Sequence, residues 1–466
     1  MLRLFRHYIP ASLVLLIVVE AIVLYFSVYL GIELRFYDTP GKEELIAEYQ
    51  PINYKAVVFS LLMISSMTAM GLHTRNIVHN FSSLMIRIFL SFFVGFFVIA
   101  IIYYIYPALF LGRGVVALTF MIAFIGVLLT RTIHQNIDNH SMFKRKLLII
   151  GSGSIGKLFD DRIDFASTQG YEIVGFVSID DKAPIVNEDR ILHIESTLYD
   201  LCLDNNVDEI VLAMDDRRKG FPLSSLLECK MKGIVVHNAI DTLEKITGHI
   251  ELEALHPSTV IFSDGFTNAV SVSYAKRIFD ITASAFILFV TSPVILLTSF
   301  AIWLSSFGRD PILYRQVRLG LCDAPFNVLK FRSMTTDAEK NGAQFAKKND
   351  ARVTKIGSFI RKTRIDELPQ LVNVLKGDMS FIGPRPERPQ FVLGFEQSIP
   401  HYSLRHTVKP GITGWAQICY PYGETEEDTR KKLQYDLYYI KNYSLFLDMT
   451  IMFQTVQVVL FGKGAR

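Results

Sequence analysis

Four long apolar runs occupy the first part of the chain, and polar loops separate them. The runs cover roughly residues 10–30, 54–72, 84–106 and 114–130. About 20 consecutive apolar residues span the hydrocarbon core of a bilayer. The pattern therefore predicts a four-helix transmembrane bundle within residues 1–140. Glu20 lies inside the first run, where it either marks a functional site or pairs with a neighbouring group.

Charged residues beside these runs predict the orientation of the bundle. Two arginines precede the first run, and five acidic residues follow it between residues 33 and 48. Arg131 and the basic residues 144–146 follow the fourth run. Because Lys and Arg are enriched in cytoplasmic loops, we expect both ends of the bundle in the cytoplasm.

A different pattern begins near residue 146, where short apolar strands alternate with helical stretches. Strands are predicted at residues 146–150, 172–178, 209–214 and 233–237. This alternation favours a parallel, Rossmann-like sheet at residues 141–240. Gly151, Gly153 and Gly156 follow the first strand with the spacing of a dinucleotide-binding turn, and Asp180 stands where the ribose-binding acid is expected.

Two interpretations of this glycine turn stay open. Either the glycines approach a bound nucleotide, or they only form a tight strand-to-helix turn in a vestigial or regulatory domain. No tyrosine precedes a lysine by four residues, so the YxxxK pair of membrane-bound nucleotide-sugar dehydratases is missing. Residues 241–275 lack a clear period and are predicted to form a linker.

A further apolar segment, at about residues 278–304, follows Lys276 and Arg277 and is interrupted by Ser292-Pro293. A proline inside a helix removes one backbone hydrogen bond and kinks the helix. Basic residues flank the segment on both sides. We therefore predict a re-entrant helix-break-helix that enters and leaves on the cytoplasmic face, with the Ser292 hydroxyl satisfying a freed backbone group. A kinked spanning helix is the alternative.

Composition agrees with a membrane protein and excludes other classes. Half of the 466 residues are hydrophobic, and 35 are Phe. The net charge is only +3, so no broad basic field points to a nucleic-acid partner. Four scattered cysteines lack CxxC spacing, which predicts neither a disulfide framework nor a zinc site and fits a reducing cytoplasm.

The adjacent carboxylates of Asp366 and Glu367 are the candidate chemical groups. Apolar residues at 368, 371, 372 and 375 predict a helix that begins with Asp366 as its N-cap and ends at Gly377. One interpretation is structural, because Asp366 would cap the helix and Glu367 would complement its dipole. In the other, the pair holds Mg²⁺ or Asp366 is a nucleophile that forms an acyl-phosphate.

Basic residues near the carboxylates favour the chemical interpretation, because Arg binds phosphoryl oxygens in bidentate fashion. A polar stretch at residues 335–349 predicts a mobile loop or a lid. The candidate phosphate-binding residues are Arg361, Arg364 and Arg385.

From about residue 276 onward the chain resembles the bacterial sugar transferase family, the monotopic phosphoglycosyl transferases. Its first 275 residues resemble the membrane and Rossmann-like half of larger members, the polyprenyl-phosphate hexose-1-phosphate transferases. The motifs are Lys276-Arg277-x-x-Asp280, Ser292-Pro293, Lys330-Phe-Arg332-Ser-Met334, Asp350-x-Arg352-x-Thr354-x-x-Gly357, Asp366-Glu367-Leu-Pro-Gln370, Lys376-Gly-Asp378-Met-Ser380, Gly383-Pro-Arg385-Pro386 and Lys409-Pro-Gly-Ile-Thr-Gly-Trp415-Ala-Gln417.

The resemblance implies a specific reaction. Asp366 attacks the β-phosphorus of a UDP-sugar, UMP leaves, and undecaprenyl phosphate then takes the sugar phosphate from the aspartate, which starts lipid-linked exopolysaccharide or capsule assembly. Glu367, with Asp366, matches the Mg²⁺-associated carboxylates. The phosphate-binding positions match Lys330, Arg361 and Arg385, and the re-entrant break matches Ser292 and Pro293.

The predicted fold is therefore membrane α plus α/β, with an α/β catalytic domain at residues 276–466. The resemblance implies a multi-pass protein of the bacterial inner membrane with its catalytic domain on the cytoplasmic face. A homodimer is compatible with the large membrane-anchored half. A nucleotide-sensing scaffold is the alternative without catalysis, and the sugar is not identified by any residue. The segment 409–417 either helps to hold the nucleotide or shape the active-site wall, or it forms a structural turn. The segment 445–461 either lies in the membrane interface with its apolar face down or packs on the catalytic core.

Overall fold

The structure is a computed structural model. It describes the chain except for residues 1, 5–6, 10, 74–80, 139–143, 169, 180–182, 217–220, 256–264, 267–269, 338–351, 421–422, 424 and 461–466. The chain divides into two compact units, Met1–Arg3 with Tyr8–Thr247 and Leu4–His7 with Gly248–Arg466. Asp180 and most of the predicted loop or lid lie outside the described residues.

Apolar helices dominate the N-terminal part of the first unit. The elements are β1 (Leu2–Leu4), β2 (His7–Ile9), α1 (Ala11–Arg35), α2 (Lys42–Ala47), α3 (Ile52–Ala69), α4 (Phe81–Ile105), a 3₁₀ turn (Pro107–Leu109) and α5 (Arg113–Asp138). The predicted apolar helices are confirmed, since α1, α3, α4 and α5 are each long and apolar enough to cross a membrane. Leu24, Met63 and Ile88 are fully buried between them, whereas Phe89 and Phe93 are exposed, as lipid-facing side chains are.

Glu20 is fully buried in this helical part, where it forms an ion pair with Arg131 and a hydrogen bond with His73. Its Oε1 lies 2.7 Å from Arg131 Nε, and its Oε2 lies 2.7 Å from His73 Nε2. Arg131 also donates to the Leu72 carbonyl over 2.9 Å. Because a buried charge is tolerated when it is paired, these contacts favour the structural interpretation of Glu20.

A parallel sheet forms the rest of the first unit and confirms the predicted α/β character. Within the described residues the strand order is β4-β3-β5-β6, and each neighbouring pair is parallel. The central strand β3 has four consecutive fully buried residues, because helices cover both faces of the sheet. The elements are β3 (Arg145–Ile150), α6 (Ser154–Asp160), α7 (Ile163–Thr168), β4 (Tyr171–Val177), a 3₁₀ turn (Glu188–Arg190), α8 (Leu198–Asp204), β5 (Glu209–Leu212), α9 (Leu223–Met231), β6 (Val235–Asn238) and α10 (Ala239–Thr247).

The structure corrects the start of the predicted linker at 241–275. Residues 241–247 belong to α10, whose Leu243 and Ile246 are buried in the core of the first unit. Ile250 belongs to the second unit, where its N–H donates to the Gln434 carbonyl over 3.1 Å. The helix is only nine residues long, so its apolar period is too short to stand out in the sequence.

The second unit combines a long apolar helix with a small α/β body. The strands β7 and β8 form an antiparallel hairpin, and β9 pairs in parallel with β10. The elements are a 3₁₀ turn (Leu252–Ala254), α11 (Val270–Ser305), β7 (Leu313–Leu319), a 3₁₀ turn (Leu321–Asp323), β8 (Pro325–Phe331), α12 (Lys355–Lys362), a 3₁₀ turn (Ile365–Glu367), α13 (Gln370–Lys376), β9 (Ser380–Ile382), α14 (Pro389–Ser398), a 3₁₀ turn (Tyr402–Thr407), β10 (Gly411–Thr413), α15 (Trp415–Cys419), α16 (Glu426–Lys441) and α17 (Leu445–Leu460).

Helix α11 continues through Pro293 as one helix. The predicted break is therefore not a separation into two helices. Pro293 lacks the N–H that would bond the Phe289 carbonyl four residues earlier. The Ser292 hydroxyl donates to that carbonyl over 2.8 Å, as predicted, so the freed acceptor keeps a partner.

Both ends of α11 contact the α/β body of the second unit. Near its start, Arg277 donates to the carbonyls of Val374 and Leu375 over 2.6 and 2.8 Å. Near its end, Ile302 is buried with Phe331 and Ile360. Between the two contacts the helix exposes large apolar side chains, and Phe286 and Phe289 are 68% and 79% exposed.

Candidate active site

Asp366 and Glu367 lie in a tight turn between two helices. Thr354 caps α12 by accepting a hydrogen bond from the Gly357 N–H over 2.9 Å. After α12 the chain reverses at Arg364, which has a φ of 60°, a backbone conformation that non-glycine residues rarely adopt. The 3₁₀ turn Ile365–Glu367 follows and carries both carboxylates.

The predicted N-cap role of Asp366 is wrong. The N-cap of α13 is Pro369, and no side chain caps this helix. Three residues of 3₁₀ turn precede Pro369, and the ring of Pro369 fixes the backbone from which the helix starts. Gly377 ends the helix with a φ of 97°, as predicted. Asp366 therefore does not make the capping hydrogen bond on which its purely structural interpretation depended.

Three cations surround the Glu367 carboxylate. Its Oε1 accepts a hydrogen bond from Arg385 Nη2 over 2.8 Å and lies 3.6 Å from Lys330 Nζ and 3.9 Å from Arg364 Nη1. Burial alone would raise the pKa of Glu367, but these positive charges outweigh it and hold the pKa well below its usual range. Glu367 is therefore a permanent anion that fixes its cationic neighbours in place.

Asp366 has a different environment from Glu367. It is 8% exposed, and its Oδ1 has no hydrogen-bond partner within the described part of the chain. Burial, and then the charge of Glu367, raise the pKa of Asp366 to about 6. A pair of carboxylates with pKa values pushed apart is typical of active sites. Burial likewise lowers the pKa of Lys330 to about 8.

A cavity of about 1150 Å³ in the second unit brings the predicted site residues together. Lys330, Arg361 and Arg385 line it together with both carboxylates. Thr291 and Val294, which flank Ser292 and Pro293 in α11, line it as well. One cavity therefore adjoins both the charged cluster and the apolar helix.

The sequence analysis missed a row of cavity residues on β7. Tyr314, Gln316 and Arg318 alternate along the strand and line the cavity from one face. Arg318 donates to the Pro386 carbonyl over 3.0 Å and lies 3.3 Å from Glu387 Oε2. Burial lowers the pKa of Arg318 to about 10. Polar residues at every second position of this segment were the sequence pattern that could have indicated them.

Arg405 and Asp436 also line the cavity and were missed. Arg405 Nη2 lies 2.9 Å from Asp436 Oδ2 and donates to the Arg385 carbonyl over 2.9 Å, so it supports the segment that carries Arg385. Burial raises the pKa of Asp436 to about 6. Only tertiary contacts join these residues, so no local pattern indicates them.

Residues of two sequence motifs have structural roles. Lys276 Nζ pairs with Asp448 Oδ2 over 2.6 Å, which packs α17 against the start of α11. Asp280 accepts a hydrogen bond from the Phe381 N–H over 3.0 Å. The segment 409–417 forms part of the cavity wall through Thr413 and Gln417.

Gly151 and Gly153 lie between β3 and α6 of the first unit, and Gly156 lies in the first turn of α6. The Asp215 carboxylate accepts hydrogen bonds from the Ser154 and Ile155 N–H groups in this turn, over 2.8 and 2.9 Å.

Comparison with known proteins shows the family of the chain. The bacterial sugar transferase family matches residues 271–462. A UDP-N-acetylgalactosamine-undecaprenyl-phosphate N-acetylgalactosaminephosphotransferase of Aeromonas hydrophila is 44% identical over 241 residues, 52% of this chain and 56% of the relative. The chain thus spans little more than half of that protein. A UDP-glucose:undecaprenyl-phosphate glucose-1-phosphate transferase of Escherichia coli K12 is 35% identical over 71% of this chain and 70% of the relative.

A sugar transferase of Haemophilus influenzae extends the similarity, with 30% identity over 77% of this chain and 79% of the relative. These matches reach well beyond the residues of the family match, into the membrane and Rossmann-like half. The chain therefore belongs to the bacterial sugar transferase family, as one of its large members of the polyprenyl-phosphate hexose-1-phosphate transferase type.

Proposed function

We propose that the protein transfers a hexose-1-phosphate from a UDP-sugar to undecaprenyl phosphate, releases UMP, and so starts assembly of a lipid-linked exopolysaccharide or capsule. The observation that carries the proposal is Asp366. It is a buried carboxylate whose Oδ1 has no hydrogen-bond partner among the described residues, and it lines a cavity with Lys330, Arg361 and Arg385. The names of the relatives support the same class of reaction.

The reaction proceeds by two displacements at one phosphorus atom. A carboxylate oxygen of Asp366 attacks the β-phosphorus, and the bond to the bridging oxygen breaks as UMP leaves with the electron pair. A phosphate oxygen of the lipid then attacks the same phosphorus, and the Asp366–phosphorus bond breaks to regenerate the carboxylate. Fixed cations such as Lys330 and Arg385 stabilise the charge that develops on the phosphoryl oxygens.

The two adjacent carboxylates fit Mg²⁺, which binds through one or two carboxylates together with substrate phosphates. The buried Asp366 Oδ1 without a hydrogen-bond partner in the described chain supports this fit. Glu367, with Asp366, would hold the ion. When bound, Mg²⁺ supplies positive charge that offsets the repulsion between carboxylates and phosphates. Lys330 and Arg385 position Glu367 for that role.

We also propose that α11 is re-entrant and does not cross the bilayer. Arg277 near its start and Ile302 near its end both contact the second unit. A spanning helix would place its ends on opposite sides of the membrane, where one compact body does not reach both. The exposed apolar middle of α11 then lies in lipid.

This topology brings the acceptor lipid to the site. Thr291 and Val294 of α11 line the cavity that contains Asp366, so a lipid phosphate at the bilayer surface enters beside the carboxylate. We take the four N-terminal helices as a transmembrane bundle in the bacterial inner membrane. The basic residues beside these helices then support a position of the second unit on the cytoplasmic face. A homodimer is compatible with this arrangement.

The test is the identity of the released nucleotide. Purified protein in detergent, with Mg²⁺ and undecaprenyl phosphate, is given a panel of UDP-sugars. We expect UMP, and the sugar that produces it names the donor. Asp366→Asn should abolish UMP release, whereas Glu427→Gln, at an exposed carboxylate outside the cavity lining, should retain it. Release of UDP would establish ordinary glycosyl transfer and refute the aspartate mechanism, and release of neither nucleotide would favour the scaffold.

A further inference from the structure

Close contacts with the protein's own atoms account for each glycine of the G-x-G-x-x-G sequence. A Cβ on Gly151 would lie 2.3 Å from the Ala213 carbonyl oxygen, and its φ of +124° already favours glycine. A Cβ on Gly156 would lie 2.4 Å from the Gly151 carbonyl oxygen. A Cβ on Gly153 would lie 2.3 Å from Asp215 Oδ2. The spacing of the glycines is therefore explained without a ligand.

The Asp215 carboxylate binds the backbone at the start of α6. Its Oδ2 accepts from the Ser154 N–H over 2.8 Å, and its Oδ1 accepts from the Ile155 N–H over 2.9 Å. In a dinucleotide-binding Rossmann turn, N–H groups at this position bind the pyrophosphate. Here a carboxylate of the same unit already satisfies them.

The position of Asp215 in the sheet explains how it reaches this turn. It follows β5 by three residues, and β5 pairs in parallel with β3, which leads into the glycine turn. The carboxyl ends of parallel neighbours meet at one edge of the sheet, where nucleotides bind in folds of this type. Asp215 therefore comes from the adjacent strand into the crevice that a pyrophosphate would need.

We propose that Asp215 is a built-in anion that closes the glycine turn, so the Rossmann-like domain binds no dinucleotide there. A pyrophosphate would have to displace two charge-assisted hydrogen bonds and approach a fixed negative charge. Gly153 is present because Asp215 packs against its Cα, and a close approach of a cofactor is not needed to explain it. This inference does not depend on the transferase activity proposed for the second unit.

The first test is a direct titration of the full-length protein in detergent with NAD⁺, NADH and NADPH at up to millimolar concentration. Fluorescence of the reduced cofactors and the melting temperature are recorded. We expect no saturable binding and no shift in melting temperature. Saturable binding of one dinucleotide per chain that Gly153→Ala removes would overturn the proposal.

The second test examines whether the Asp215 carboxylate is what excludes a side chain at position 153. Gly153→Ala should lower the melting temperature by several degrees in the native background, because the new Cβ meets the Asp215 carboxylate. In an Asp215→Ala background the same change should have a much smaller effect. Gly394→Ala, where a Cβ has open space, is the control and should not lower the melting temperature. An equal effect of Gly153→Ala in both backgrounds would refute the role assigned to Asp215.

Discussion

Arg385 Nη2 donates a hydrogen bond to Glu367 Oε1 over 2.8 Å and thereby ties the segment after β9 to the turn that carries Asp366. The ion pair keeps Glu367 ionised, because the neighbouring charges hold its pKa low. Asp366 lacks such a hydrogen bond at Oδ1, and its pKa is raised to about 6. A permanent anion and a titratable carboxylate therefore stand side by side. This difference separates a group that organises the site from a group available for attack.

Asp366→Asn should lower UMP release at least about a thousandfold, because the amide is a poor nucleophile. It should also raise the melting temperature at pH 8. The folded-state pKa of about 6 lies above the usual 3.8, so stability is lost as the pH rises from about 4 to about 6, and above that the buried charge destabilises the fold by its full amount. Near pH 5 the native Asp366 is mostly protonated, and the gain should shrink. Retained activity, or a gain in melting temperature that does not depend on pH, would contradict this account.

The activity should depend on pH as a bell-shaped curve. The rate rises through about pH 6 as Asp366 ionises, and falls above about pH 8 as the buried Lys330 loses its proton. The arginine in Lys330→Arg keeps its charge at high pH, so the alkaline limb should move to higher pH while the acid limb stays at about pH 6. The measurement is kcat/KM between about pH 5 and pH 10 for both proteins. An alkaline limb that does not move in Lys330→Arg would assign it to another group.

The apolar helices and the parallel sheet follow from local sequence patterns, whereas the shared phosphate-binding role of Lys330, Arg361 and Arg385 was implied by the family resemblance. Hydropathy and strand alternation are local properties, and they are largely independent of tertiary contacts. Arg405 could not be found in this way, since it reaches the site through Asp436 and the Arg385 carbonyl.

The wrong N-cap at Asp366 has a related cause. Apolar periodicity places the helix correctly, but it does not distinguish a 3₁₀ turn from the first α-helical turn. The glycine turn shows that a sequence motif can match although its usual ligand is not what its N–H groups bind. Its spacing matches a dinucleotide fingerprint, yet Asp215, which accepts the hydrogen bond of the Ser154 N–H, lies 61 residues further along the chain and belongs to no motif.

Arg385→Gln should reduce kcat about a hundredfold or more, because it removes a fixed cation from the transferring phosphoryl group. It also removes the hydrogen bond that holds Glu367. Arg385→Lys should restore part of the activity, since it returns the charge without the planar fork. Arg309→Gln, at an exposed arginine outside the cavity lining, is the control and should leave kcat unchanged. Equal activity of Arg385→Gln and the native protein would remove Arg385 from the phosphate site.

The re-entrant topology predicts that both ends of α11 face the cytoplasm. Tyr274 and Arg309 are exposed near its two ends, so Tyr274→Cys and Arg309→Cys can be labelled with a membrane-impermeant thiol reagent. Cys322 and Cys419 are first replaced by serine, while Cys202 and Cys229 are buried and stay unreactive. Both introduced cysteines should react in inverted vesicles and not in intact cells.

Labelling of the exposed Cys322 in the native protein reports the side of the membrane on which the second unit lies. In the proposed topology the exposed Phe289 lies in lipid, so Phe289→Cys should not react with the reagent from either side. Labelling of Tyr274→Cys and Arg309→Cys from opposite sides would show that α11 crosses the bilayer. In that case the contacts of Arg277 and Ile302 with one compact unit could not both persist, and the entry of a lipid phosphate past Thr291 to Asp366 would lose its structural basis.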